Sequence, residues 1–158
     1  MKILIMIALM IFLPLMNSAN ADRCATDNMG QVICAPPGGG AAVDSMGQVI
    51  IGVGACATDS MGQVVCSNSP GGGAAVDSMG QVVTGVGACA TDGMGQVVCS
   101  NSPGGGAAVD SMGQVLTGIG ACATDGMGWV MCSSLPGGST VIDSMGHAVC
   151  SGGCVAGQ

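Results

Sequence analysis

The chain has 158 residues, a formal net charge of −7, and one Trp, one Phe and no Tyr. Thirty glycines and ten cysteines accompany a charged fraction of only 7%. Such a composition excludes a sizeable apolar core, and its acidity excludes the basic footprint that nucleic acid or an anionic membrane surface requires.

From the N-terminus, Met1-Lys2 precedes an apolar run from Ile3 to Met16, and Ala19-Asn20-Ala21 supplies a small-x-small cleavage site. This is the pattern of a secretory signal peptide over residues 1–21. The run is short for a membrane span and contains Pro14, so no span is expected after cleavage. Residues 22–158 then form a single repeat domain with nine aspartates against Arg23, no Lys and no Glu. Its net charge is about −8, from nine negative side chains and one positive.

The first repeat begins near Cys24 with Cys-Ala-Thr-Asp-Asn-Met-Gly-Gln-Val-Ile-Cys, and related units begin near Cys56, Cys89 and Cys122. Asp-x-Met-Gly opens at Asp27, Asp44, Asp59, Asp77, Asp92, Asp110, Asp125 and Asp143. After a first step of 17, the spacing alternates between 15 and 18, giving a period of 33 residues and four units. Self-similarity of this length marks a repeat architecture.

Within each motif the two residues after Asp suit a type I turn, and Gly suits the left-handed residue that follows it. The aspartate can accept from a backbone N–H two residues on. Folding about Met29 sets Thr26 opposite Val32, Ala25 opposite Ile33 and Cys24 opposite Cys34. The same fold-back predicts Cys56 with Cys66, Cys89 with Cys99, and Cys122 with Cys132. The intervening hairpins lack cysteine and are expected to rest on small aliphatic pairs such as Val43 with Val49. Between hairpins, Pro-Gly-Gly links alternate with short Gly-Val-Gly or Gly-Ile-Gly returns.

All ten cysteines follow the leader, and an even count in an oxidising compartment predicts a disulfide framework. Zinc is disfavoured, because its cysteine ligands usually lie two to four residues apart. The staples stand in for a core. The expected fold is all-β: a tandem array of short hairpins in a repetitive meander, with about sixteen strands. A β-solenoid with coils of about 15 and 18 residues is the alternative; it would ladder identical aspartates and require a cation between them.

The last unit diverges. Trp129 and then His147 replace Gln, Leu135-Pro136 enters the link, and Cys150 and Cys154 are placed to close a short loop. Terminal repeats often depart from consensus because they cap a stack, and Trp129 is expected to serve in that cap. His147 is expected to be solvated.

Little catalytic chemistry remains: one His, no Lys or Glu, oxidised cysteines, and serines without a recurring base partner. No enzymatic activity and no cofactor are expected. The aspartates read as turn caps; calcium would require neighbouring turns to pool carboxylates. Met29, Met46, Met61, Met79, Met94, Met112, Met127 and Met145 all fall at turn tips. They are expected to pack back over their hairpins as gap-fillers, with a row of soft copper-binding or oxidisable thioethers as the alternative. The Asp-x-x-Gly-x-Val turn resembles the hairpin turns of bacterial YD-type (Rhs) repeats over a few residues per repeat, without their tyrosine, and implies no function. The expected role is a secreted or periplasmic structural protein whose partner is itself or a cell-surface component.

Overall fold

A computed structural model describes residues 23–158; the proposed signal peptide over residues 1–21 lies outside the described residues. Every described strand is short and antiparallel to its neighbour. Hairpins pair β1 (Cys24–Thr26) with β2 (Val32–Cys34), β3 (Gly40–Val43) with β4 (Val49–Gly52), and β5 (Cys56–Thr58) with β6 (Val64–Cys66). Next come β7 (Ala74–Val76) with β8 (Val82–Thr84), and β9 (Cys89–Thr91) with β10 (Val97–Cys99). They are followed by β11 (Ala107–Val109) with β12 (Val115–Thr117), and β13 (Cys122–Thr124) with β14 (Val130–Ser133). The last hairpin joins β15 (Thr140–Ile142) to β16 (Ala148–Cys150), and β17 (Cys154–Ala156) returns to pair with β14.

The register is the one the turn chemistry predicts. Asp27 N–H donates to the Gln31 carbonyl and Ala35 N–H to the Arg23 carbonyl, so Cys24 and Cys34 fall at the intervening pair that exchanges no backbone bonds. Side chains approach most closely at such pairs. Cys24–Cys34, Cys56–Cys66 and Cys89–Cys99 bridge there with Cα atoms 3.9 Å apart, and Cys122–Cys132 with 4.0 Å. Cys150–Cys154 closes the fifth bridge.

The hairpins do not lie side by side in one sheet. They stack, with β1 against β3, β3 against β5, and so on to β13 against β15. A glycine pair makes this close approach feasible. Gly40 faces Gly52 in the cysteine-free hairpin, and Gly52 lies directly on the Cys56–Cys66 bridge of the next. Gly85 lies likewise on Cys89–Cys99, and Gly118 on Cys122–Cys132. A Cβ on Gly118 would stand 2.5 Å from the Cys132 Cβ, closer than packed carbons tolerate. In the final hairpin the equivalent pair is Ser139 and Ser151, whose hydroxyls are 3.0 Å apart. Among the described residues no disulfide hairpin stacks on this pair, and a side chain is accommodated at both positions.

The links hold the opposite edge. In each Pro-Gly-Gly link the second glycine closes a turn, as when Gly72 N–H donates to the Ser69 carbonyl at 2.8 Å. Pro70 precedes Gly71, whose φ is 71°, the order a type II turn requires. The serine after each later bridge ties one hairpin to the next. Ser67 Oγ donates to the Gly85 carbonyl (2.7 Å), Ser100 Oγ to Gly118 (2.9 Å) and Ser133 Oγ to Ser151 (2.6 Å). All three are buried, as are only Ala35, Val130 and Cys132 among the described apolar residues. The interior is mainly small side chains, sulfur and backbone.

Three expectations are revised. β17 is a further strand, lying along β14, with Gly157 N–H bonded to the Val130 carbonyl and Gln158 exchanging two backbone bonds with Thr117. β17 and Gln158 thus run back along the seventh and sixth hairpins rather than over the last one, and Trp129, at 67% exposure, buries little as a cap. The methionines do not fold back over their hairpins, as described below. Among the described residues no helix is long and apolar enough to cross a membrane.

Candidate functional site

The most regular surface is the edge formed by the eight turns. In each, Asp Oδ1 accepts the backbone N–H of the methionine two residues on, at 2.9 Å. It also accepts the N–H four residues on, from Gln31 at 2.8 Å through to Trp129 at 2.9 Å and His147 at 2.8 Å. The fourth residue is glycine with positive φ, from 77° at Gly80 to 86° at Gly146. That conformation is open to glycine at little cost. The aspartates are therefore turn caps first.

Successive turns are also bonded to one another, which the sequence did not reveal. The amide of the residue after each Asp donates to the glycine carbonyl of the following turn. The chain of bonds runs from Asn28 to Gly47 (3.0 Å), Ser45 to Gly62 (2.8 Å), Ser60 to Gly80 (2.8 Å) and Ser78 to Gly95 (2.8 Å). It continues through Gly93 to Gly113 (2.7 Å), Ser111 to Gly128 (3.1 Å) and Gly126 to Gly146 (2.7 Å). Hydrogen-bonded backbones lie roughly 5 Å apart, so the row repeats at about that interval. A hairpin array thus stacks its turns in register, as a solenoid was expected to ladder its aspartates.

All eight turn-tip methionines stand outward along this row. Met29, Met46, Met61, Met79, Met94, Met112, Met127 and Met145 are between 70% and 78% exposed. A thioether this exposed contributes little packing, so the gap-filling expectation does not hold. Met46 and Met61, on turns joined by the Ser45 to Gly62 bond, line one open recess of about 380 Å³ together with Asp44 and Gln63.

The last turn differs electrostatically. His147 Nδ1 lies 3.7 Å from Asp143 Oδ2, forming an ion pair once the imidazole is protonated. The Asp143 carboxyl is held below its ordinary 3.8, chiefly by the backbone N–H of His147, with smaller help from the Met145 amide and the imidazole charge. Among the described residues, no three His, Cys, Asp or Glu side chains converge as a metal-ligand set, and no cysteine is free.

Two signals in the sequence pointed to parts of this arrangement. Ser139 and Ser151 break the glycine pattern only where stacking ends, and a serine follows every second hairpin cysteine except Cys34, which precedes Ala35. Neither points to the methionine row, because methionine packs equally well inward. Comparison with protein-family models, curated proteins and solved structures finds no match to this chain.

Proposed function

We propose that this chain is a non-catalytic, secreted or periplasmic structural protein, a disulfide-stapled stack that presents one repeating row of side chains to a cell-surface component or to other copies of itself. The observation supporting this most directly is the union of five disulfides with seven turn-to-turn bonds in a chain with almost no apolar core. Five bridges suit an oxidising, extracellular-type compartment. The single histidine is exposed and the cysteines are bridged, leaving no evident nucleophile or base pair.

Fractionation of the producing cells tests this reading. The mature chain should lie outside the cytosol, beginning near Asp22, with no thiol reactive to alkylation until a reductant is added. Its resistance to mild proteolysis should disappear on reduction. A cytosolic chain with reduced cysteines would overturn the proposal. A second reading, soft-metal binding or oxidant scavenging by the methionine row, is favoured by the exposure of its thioethers.

A further inference from the structure

We infer that Met46 and Met61 form a two-thioether site for a soft monovalent cation of the Cu(I) or Ag(I) class; this rests on the second reading above and assigns it a place. Three observations converge on that recess. The Ser45 to Gly62 bond at 2.8 Å fixes the two turns as neighbours, and both methionines border the same open space of about 380 Å³. Both side chains are open to solvent, at 70% and 73% exposure. Methionine is unbranched with three rotatable bonds, so two such arms can close on an ion without moving the backbone.

The donor set selects the metal. Thioethers are soft and neutral, and favour Cu(I) over hard divalent ions that seek oxygen. Asp44 lies in the same recess and gives Oδ1 to the Met46 and Gln48 amides. Its Oδ2 has no hydrogen-bond partner among the described residues and adds negative charge beside the sulfurs. The chain's excess of aspartate over basic residues favours cation approach at low ionic strength. No cysteine thiolate competes, because none is free. The coordination involves no change of oxidation state and no proton release from sulfur, so affinity should hold between about pH 7 and about pH 5.

The test uses Ag(I), which is not oxidised in air, titrated into the oxidised mature chain while the methionine ε-methyl resonances are followed by NMR. Met46 and Met61 should shift together and saturate at the same Ag(I) concentration. Met61→Leu should weaken the Met46 response about tenfold, the loss expected from one of two ligands. Met131→Leu, within β14 and away from the row, should leave that response unchanged; unchanged amide spectra verify the fold of each variant. Equal Met46 response with and without Met61 would overturn the paired site. Shifts confined to other turn methionines would overturn this location while preserving soft-metal binding by the row, and no shift at any methionine would end both this site and that soft-metal reading. The structural role proposed above would stand in either case.

Discussion

The first and seventh hairpins begin with the same Cys-Ala-Thr-Asp-x-Met-Gly and adopt the same register, yet their surroundings differ sharply. In the first, both bridge cysteines are exposed, Val32 is 65% exposed, and Ala35 stands where later units have a linking serine. In the seventh, Gly118 lies on one face of the Cys122–Cys132 bridge, β17 runs along β14, and Val130, Cys132 and Ser133 are buried. Local sequence makes the hairpin, but neighbours determine what it contributes. Repeat proteins generally divide their stability in this way, between the unit and its interfaces.

The largest test of that contrast removes the bridges one at a time. Replacing Cys122 and Cys132 by Ser should cost about 4 kcal/mol, and replacing Cys24 and Cys34 about 2 kcal/mol, since loop closure is equal and only the first loses buried contacts. Denaturant unfolding of the two oxidised variants measures the difference. Equal losses would mean that the stack adds nothing to the bridge.

A smaller effect isolates the stacking face. Gly118→Ser should destabilise by about 3 kcal/mol, because the added Cβ meets Cys132, whereas Ser151→Gly should cost less than about 1 kcal/mol. Thermal unfolding compares them. Similar values would show that glycine is not needed beneath the bridges.

The smallest effect belongs to the last turn. The lowered Asp143 carboxyl stabilises the folded state above its unfolded value, and that contribution is lost as pH falls through the lowered folded value. Carboxyl-carbon NMR should place its midpoint below 3.8. His147→Ala should raise the midpoint only part of the way, because the residue-147 amide remains and is the larger cause. A complete return to the ordinary value would assign the shift to the imidazole instead.

Much of the hairpin was legible beforehand, because Asp27, Gly30 and the cysteine spacing each restrict the backbone in a recognisable way. The stack was not. Its bonds use the amide after each Asp, and that position accepts Asn28, Ser45 or Gly93 alike, since a backbone donor leaves little imprint on residue identity. β17 was not legible for a related reason: Cys154-Val155-Ala156 is too short to show an alternating pattern, and its pairing partner lies more than twenty residues upstream. The methionine positions were legible, but their orientation was not. An unbranched side chain is compatible with either packing or exposure, and only the inter-turn bonds align the tips.

The two kinds of hairpin face impose a rule on changes in length. Inserting or excising one complete 33-residue period lets every bridge meet a glycine pair as before, and alters the molecule by roughly 10 Å. Losing a single hairpin would oppose like faces and disturb the junction. Recombination between repeats can therefore produce shorter and longer forms in whole-period increments, with parity enforced by folding.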